Sequence, residues 1–313
     1  MNRIRAAVVG TGVMGRNHAR VLSGMEDVDL VGVVDLDLAR AEAVAEKYEA
    51  TGYYNLDTLP DVEFAVVAVP TISHRPVAQR LIERGTSVLV EKPLAPTPED
   101  ADHLVNLAEK HGVLLASGHV ERFNPVASVI ANMVRSPHLM QFVRLSPFTP
   151  RIRESVVFDL MVHDLDLACV FAGAFPTDIC ASGSAVLSET LDVAIAVLTF
   201  PSGCVASVTG SRITQDKVRH IRVSEAERFF DADCLRQELS IKRETTEEYL
   251  DATYQQASIV EIPYLDRRAE PLGLELRNVI DAIRGEGTLQ VDGRAGADVV
   301  RLAHNVESAI KGK

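Results

Sequence analysis

The sequence predicts an α/β domain built on a doubly wound parallel sheet, followed by an α+β domain with a largely antiparallel sheet. Three observations carry this. From Ile4 to Ala116, short apolar runs alternate with helical segments across short loops, the pattern of parallel strands with helical crossovers. The first such crossover opens on a glycine turn, Gly10-Thr11-Gly12-Val13-Met14-Gly15. After about Phe123 the rhythm changes to successive runs with strand alternation. With 313 residues the chain suits two domains of roughly 100–200 residues each, and we divide it at 1–122 and 123–313.

In order, Ile4 to Val9 is an apolar strand that runs into the glycine turn, and the helix after it ends near Ser23-Gly24. Leu30 to Val34 is the next strand and closes on Asp35. Leu38 to Tyr48 reads as an exposed helix. Phe64 to Val69, bounded by charge and by Pro70, reads as a buried parallel strand. Pro76 to Arg84 is helical, with Gly85 as its stop. Ser87 to Val90 is a strand ending in Glu91-Lys92-Pro93. Thr97 caps a helix that runs to about His111-Gly112, with Pro98 at its first position and acids in its first turn. Val113 to Ala116 completes the series. Ligands of such sheets lie beyond the carboxyl ends of the strands, where Pro70-Thr71, Glu91-Lys92 and His119 to Arg122 fall.

The second half reads as a connecting helix (Asn124 to Val134), a strand (Leu139 to Leu145) and a helix (Val156 to Phe171). Strand-like runs follow at Asp178 to Val186, Leu191 to Phe200, Cys204 to Gly210, Arg219 to Val223, Arg228 to Ala232 and Glu238 to Lys242. Pro201-Ser202-Gly203 is a hairpin turn. Pro271 to Arg284 and Ala295 to Ile310 are amphipathic helices.

Composition narrows the function. The net charge of −12 argues against nucleic acid or an anionic membrane as partner, since both need a basic face. No apolar run reaches the roughly 18 residues of a membrane helix. Cys169, Cys180, Cys204 and Cys234 have neither CxxC spacing nor a histidine cluster, so no metal site is expected and the cysteines read as reduced. The N-terminus runs straight into a strand. We expect a cytoplasmic protein.

The glycine turn carries the first chemistry. Strand, G-x-G-x-x-G, helix, strand and an acid twenty positions past the last glycine form a dinucleotide-binding arrangement. Gly10, Gly12 and Gly15 allow a tight turn and close backbone approach to a pyrophosphate, with Met14 beside it at the helix N-terminus. Asp35 would accept from the ribose hydroxyls and repel a 2′-phosphate, which favours NAD. Arg40 lies close enough to soften that preference, and also reads as a solvated helix residue. Asp159 and His163, four apart on a helical stretch, share a face. A histidine can take the proton of a secondary hydroxyl, and a nearby lysine cation eases its loss. Lys92, at a strand end beside the cofactor site, is that lysine.

GTGVMGRNHARVL, AVPTISH, VEKP, GHVERFNP and FDLMVHDLD, in this order, resemble the glucose–fructose oxidoreductase/inositol dehydrogenase/MocA (Gfo/Idh/MocA) family of NAD(P)-dependent sugar dehydrogenases across essentially the whole chain. The resemblance implies a Rossmann domain, a secondary-alcohol oxidation and particular roles. Lys92 would lie next to the reacting hydroxyl, with Pro93 following a cis bond. Asp159 and His163 would form the D-x-x-x-H pair, with His163 as base. Thr71, His74 and Glu91 would line the nicotinamide half of the cofactor site, and Pro70 beside them is a further cofactor-binding candidate. Met161 stands where the family often has glycine. ERFNP with DLMVHDLDL resembles the nucleotide-sugar branch, which implies a UDP-sugar substrate, UDP-N-acetylglucosamine oxidised at C3. Arg151 and Arg153 read either as a diphosphate clamp or as exposed loop arginines. Arg122 reads either as a substrate contact or as a tie at the domain junction. A dehydrogenase of a free polyol or sugar, and a cofactor-binding regulator without chemistry, are the competing readings. The family also implies a homo-oligomer, a dimer or tetramer formed through the second-domain sheet.

Overall fold

The computed structural model describes residues 3–150, 153–247, 255–266 and 270–312. Two compact units divide the chain, Met1–Val120 with Ala269–Arg301, and Glu121–Arg268 with Leu302–Lys313.

In the first unit the predicted alternation is present. It comprises β1 (Ile4–Val9), α1 (Val13–Ser23), β2 (Val28–Val34), α2 (Leu38–Ala45), β3 (Thr51–Tyr53), β4 (Phe64–Val67), α3 (His74–Glu83), β5 (Ser87–Glu91), α4 (Pro98–His111) and β6 (Leu115–Gly118). The six strands are parallel in the order β3-β2-β1-β4-β5-β6. The order reverses between β1 and β4, the switch point at which such sheets bind ligands. The Thr97 side chain caps α4 by accepting from Asp100 N, and Gly112 ends it at φ +66°. β3 has no apolar run to announce it. Gly52 lets it lie against α2, because a Cβ there would come within 2.7 Å of the Glu42 backbone.

The second unit contains α5 (Pro125–Met133), β7 (Leu139–Leu145), a π-helical turn at Val157–Met161, α6 (Val162–Ala172), β8 (Asp178–Ser184), β9 (Val193–Thr199), β10 (Val205–Ser211), β11 (Val218–Ser224), β12 (Arg228–Asp233), β13 (Glu238–Glu247) and β14 (Gln255–Glu261). Its sheet runs β14-β13-β12-β11-β7-β10-β9-β8, antiparallel except for the parallel pair β7–β10. One face is buried by Val126, Ile130, Leu165 and Phe171 against Phe142, Ala196 and Val208. The opposite face leaves Leu139, Ile195 and Val197 exposed.

The chain then returns. α7 (Pro271–Ile283) and α8 (Gly293–Lys311) lie where the sequence was assigned wholly to a second domain, yet 269–301 belong to the first unit. Leu272, Leu276 and Val279 pack with Leu22, Leu30 and Leu89, while Ala297 and Val300 pack with Leu81 and Leu104. An apolar helix face says that it is buried, not which sheet it covers, so a single cut at 122/123 misses this. Among the described residues no helix is long and apolar enough to cross a membrane.

Candidate active site

The first unit gathers its predicted residues at the carboxyl ends of its strands. Gly10 has φ +98°, and a Cβ there would lie 2.5 Å from Ala68 O, so the turn after β1 touches the end of β4. A Cβ at Gly15 would lie 1.8 Å from Gly10 O. Gly12 differs, since the nearest atom to its Cβ position is Ala68 O at 4.0 Å. That open side is the approach a pyrophosphate needs. Gly12 also caps α1 with no side-chain hydrogen bond and no acid in the first turn, so the helix N-terminus is free to face an anion. Met14 is half-buried in that turn.

Asp35 follows β2. Its Oδ2 accepts from Thr11 N at 2.8 Å and from Thr11 Oγ1 at 2.5 Å, and its Oδ1 accepts from Asp37 N at 3.0 Å. Burial raises its carboxyl, but these donors outweigh burial and hold it below the usual aspartate value. An anion fixed here suits ribose hydroxyls and opposes a 2′-phosphate. The charge of Arg40 also acts on Asp35. Its guanidinium pairs with Asp37 at 3.1 Å, and both side chains are exposed.

Beyond β4, exposed Pro70 precedes a single 3₁₀ turn, Thr71–Ser73. His74 is buried, with Nδ1 2.8 Å from Pro93 O and Nε2 2.9 Å from Val69 O. Burial lowers its pKa, against the pull of these carbonyls. Both nitrogens are thus committed to backbone, so His74 braces the turn after β5 and offers no polar atom to a cofactor. The Lys92–Pro93 bond is cis. Glu91 is buried, accepting from His18 at 2.7 Å and from Lys92 N at 3.2 Å. Burial raises its carboxyl, and His18 and the Lys92 amine more than reverse that, leaving it below the usual glutamate value.

In the second unit Asp159 and His163 are both half-buried, on either side of the π-to-α junction. Val162 N reaches back five residues to Val157 O. The wider turn advances fewer degrees per residue than an α-helix, so positions four apart come nearer to alignment than the α-helical reading assumed. Met161 is fully buried, and a Cβ at Gly210 of β10 would lie 2.4 Å from its Cγ. The glycine missing at Met161 is therefore balanced by one across from it.

Arg122 makes an ion pair within this unit. Its Nε and Nη2 donate to Asp166 of α6 at 2.8 and 2.5 Å. Arg153 is exposed, and Arg151 lies outside the described residues. Sequence reasoning missed the buried network beneath α6. Arg144 donates to both oxygens of Asp164, at 2.9 and 2.7 Å, and to Glu121 at 3.0 Å, which also accepts from Arg219 at 3.0 Å. Burial raises the Asp164 carboxyl above its usual value despite Arg144, whereas two guanidiniums hold Glu121 below its own. The signal was available: two aspartates inside the apolar run His163-Asp164-Leu165-Asp166-Leu167 require partners if that run is buried.

Residues 4–119 match the family model described as "Oxidoreductase family, NAD-binding Rossmann fold", and 138–225 match the GFO/IDH/MocA C-terminal domain. UDP-N-acetylglucosamine 3-dehydrogenase of Acidithiobacillus ferrooxidans is 30% identical over 99% of this chain and 98% of its own. Its solved structure superposes with a TM-score of 0.90 over 100% of this chain and 99% of that one. Myo-inositol 2-dehydrogenase of Thermotoga maritima is 26% identical over 67% of this chain and 69% of its own. The structure of GenD2 from gentamicin A biosynthesis in complex with NAD, 24% identical, has the same fold, with a TM-score of 0.84 over 100% of this chain and 96% of that one.

Proposed function

Starting from the fact that the chain belongs to the Gfo/Idh/MocA family and is an NAD-dependent oxidoreductase, we propose that it oxidises C3 of UDP-N-acetylglucosamine to the 3-keto sugar nucleotide. The observation that carries this reading is the end-to-end similarity to an enzyme of that name, at 30% identity over 99% of the chain. In this reading His163 takes the proton of the reacting hydroxyl, the Lys92 cation favours its loss, and Asp159 orients the sugar or the histidine. Gly10, Gly12, Gly15 and Asp35 hold NAD, with Pro70, Thr71 and Glu91 toward its nicotinamide half. NAD, when bound, accepts the hydride. Arg153, with Arg151, is the proposed diphosphate contact, since a guanidinium fork matches phosphate oxygens. The exposed Leu139, Ile195 and Val197 support homo-oligomer contact through that sheet face, and we assign the enzyme to the cytoplasm.

Purified protein with NAD should produce NADH on addition of UDP-N-acetylglucosamine. Turnover of free myo-inositol or glucose with none of the nucleotide sugar would sink the assignment. Lys92→Ala and His163→Ala should each lower kcat by roughly 10²–10⁴-fold while still binding NADH. Unchanged turnover in both would remove them from the chemistry.

A further inference from the structure

His18 is fully buried on α1 and far in sequence from Lys92, Asp159 and His163, yet its Nε2–H donates to Glu91 Oε1 at 2.7 Å. The other Glu91 oxygen accepts from the backbone N of Lys92, and the Lys92 amine acts on the same carboxylate. His18, Glu91 and Lys92 therefore form a chain that runs from the helix core to the end of β5.

The chain is closed from behind. Glu275 of α7 is 2% exposed, and neither of its oxygens has a hydrogen-bond partner, nor does His18 Nδ1. Burial first, and the charge of Glu91 second, push the Glu275 carboxyl well above the usual glutamate value. The shift favours the protonated acid, which adds no second negative charge. Leu22 and Ala116 pack with Leu272 and Leu276 in the same apolar cluster. The titratable groups that act on Glu91 or feel its charge include His18 from α1, His74 from α3, Glu275 from α7 and Lys92 beside it, and buried His119 follows Gly118 on the neighbouring strand.

We propose that His18 is a positioning residue that keeps Glu91 ionised, and that Glu91 in turn keeps the Lys92 amine charged and fixed at the strand end. A buried carboxylate stripped of its donor takes up a proton rather than remain an unpaired charge. Without that anion the lysine cation loses its neighbour and gives up its proton more readily. This inference builds on the reading of Lys92 as the lysine of the reaction.

The titration of Lys92 tests it without any substrate. Reductive methylation with an isotope-labelled methyl donor gives each lysine an NMR signal, and the Lys92 signal is the one lost in Lys92→Arg. His18→Leu should lower the Lys92 transition by about 1 unit or more. His18→Gln, which keeps an N–H near the Nε2 position, should restore it. Glu91→Gln should lower it equally, with no further shift in the double variant His18→Leu/Glu91→Gln. Glu275→Gln, neutral like the protonated acid, should leave it in place. A Lys92 transition in folded Glu91→Gln and His18→Leu that matches the wild type overturns the proposal. If His18→Leu does not fold, judged by NADH fluorescence on binding, Glu91→Gln alone decides. Failure to oxidise a UDP-sugar would overturn the substrate assignment and leave this titration untouched.

Discussion

The carboxyl end of the parallel sheet and the π-to-α junction of the second unit hold their polar side chains by opposite means. In the first, backbone does most of the placing. Strand ends converge, glycines bring the turns together, and a single imidazole–carboxylate pair lies beneath Lys92. In the second, charge does it. Arg144 joins Asp164 to Glu121, Arg219 meets Glu121, and Arg122 meets Asp166, nearly all of it buried. A parallel sheet brings its strand ends together whatever their side chains. A helix lying on an antiparallel sheet has no such convergence, and specific pairs must fix where along the sheet its turns fall.

Removing Arg144 presses this contrast hardest. Arg144→Met leaves Glu121 and Asp164 buried without their shared cation, which should lower the free energy of unfolding by about 3–5 kcal/mol in urea titrations. An unchanged midpoint would take charge out of the account of the second region.

Sterics at the same junction make the next test. Gly210→Ala places a methyl against Met161 and should cost about 1–3 kcal/mol by thermal melting. In Gly210→Ala/Met161→Ala the loss should fall short of the sum of the single variants, because the two side chains compete for one space. Strict additivity would mean that Met161 does not depend on Gly210.

The smallest effect belongs to the first region. The Glu275 carboxyl is raised in the folded protein, so the fold retains a proton that the unfolded chain releases above about pH 4.3. Wild-type stability attributable to this group is therefore complete below that value and drains away as pH climbs toward the folded pKa. Glu275→Gln has no such loss. Its stability relative to wild type should improve from about pH 4 to pH 8 by on the order of 1 kcal/mol or more, since each unit of pKa difference is about 1.4 kcal/mol. A difference independent of pH would mean that Glu275 titrates in the fold as it does in the unfolded chain.

The same contrast explains what the sequence could tell. Gly10 to Gly15, Asp35 and Lys92 were legible because each sits at a strand end, and strand ends of a parallel sheet are local facts that meet by topology. The helix bearing Asp159 and His163 was legible as a helix, but its π turn was not, and neither was the close approach of Met161 to Gly210, a residue remote in sequence. Arg144 and Arg219 lie in strand-like runs, and nothing local says that they meet Glu121. Arg122 left two readings open, and nothing local named Asp166 as its partner. The resemblance implied His74 for the nicotinamide half and its place in the chain suggested Arg40 for the ribose end, and neither reading foresaw the backbone carbonyls that His74 bonds or the Asp37 that pairs with Arg40.

A chain leaving the ribosome N-terminus first completes all six parallel strands before it has made Leu272, Leu276 and Val279, which cover Leu22, Leu30 and Leu89. The nucleotide-binding half is the first to be written and cannot be the first to finish. Its apolar face waits while the whole eight-stranded sheet is synthesised, and only the returning α7 and the start of α8 seal it. For the same reason the two halves are not interchangeable cassettes. Excising residues 1–122 would strip a helical layer from the dinucleotide-binding core, whereas a fragment that joins 1–120 to 269–301 carries the complete set of packing faces. Shuffling among relatives has to respect that nested layout, with the second unit handled as an insertion within the first.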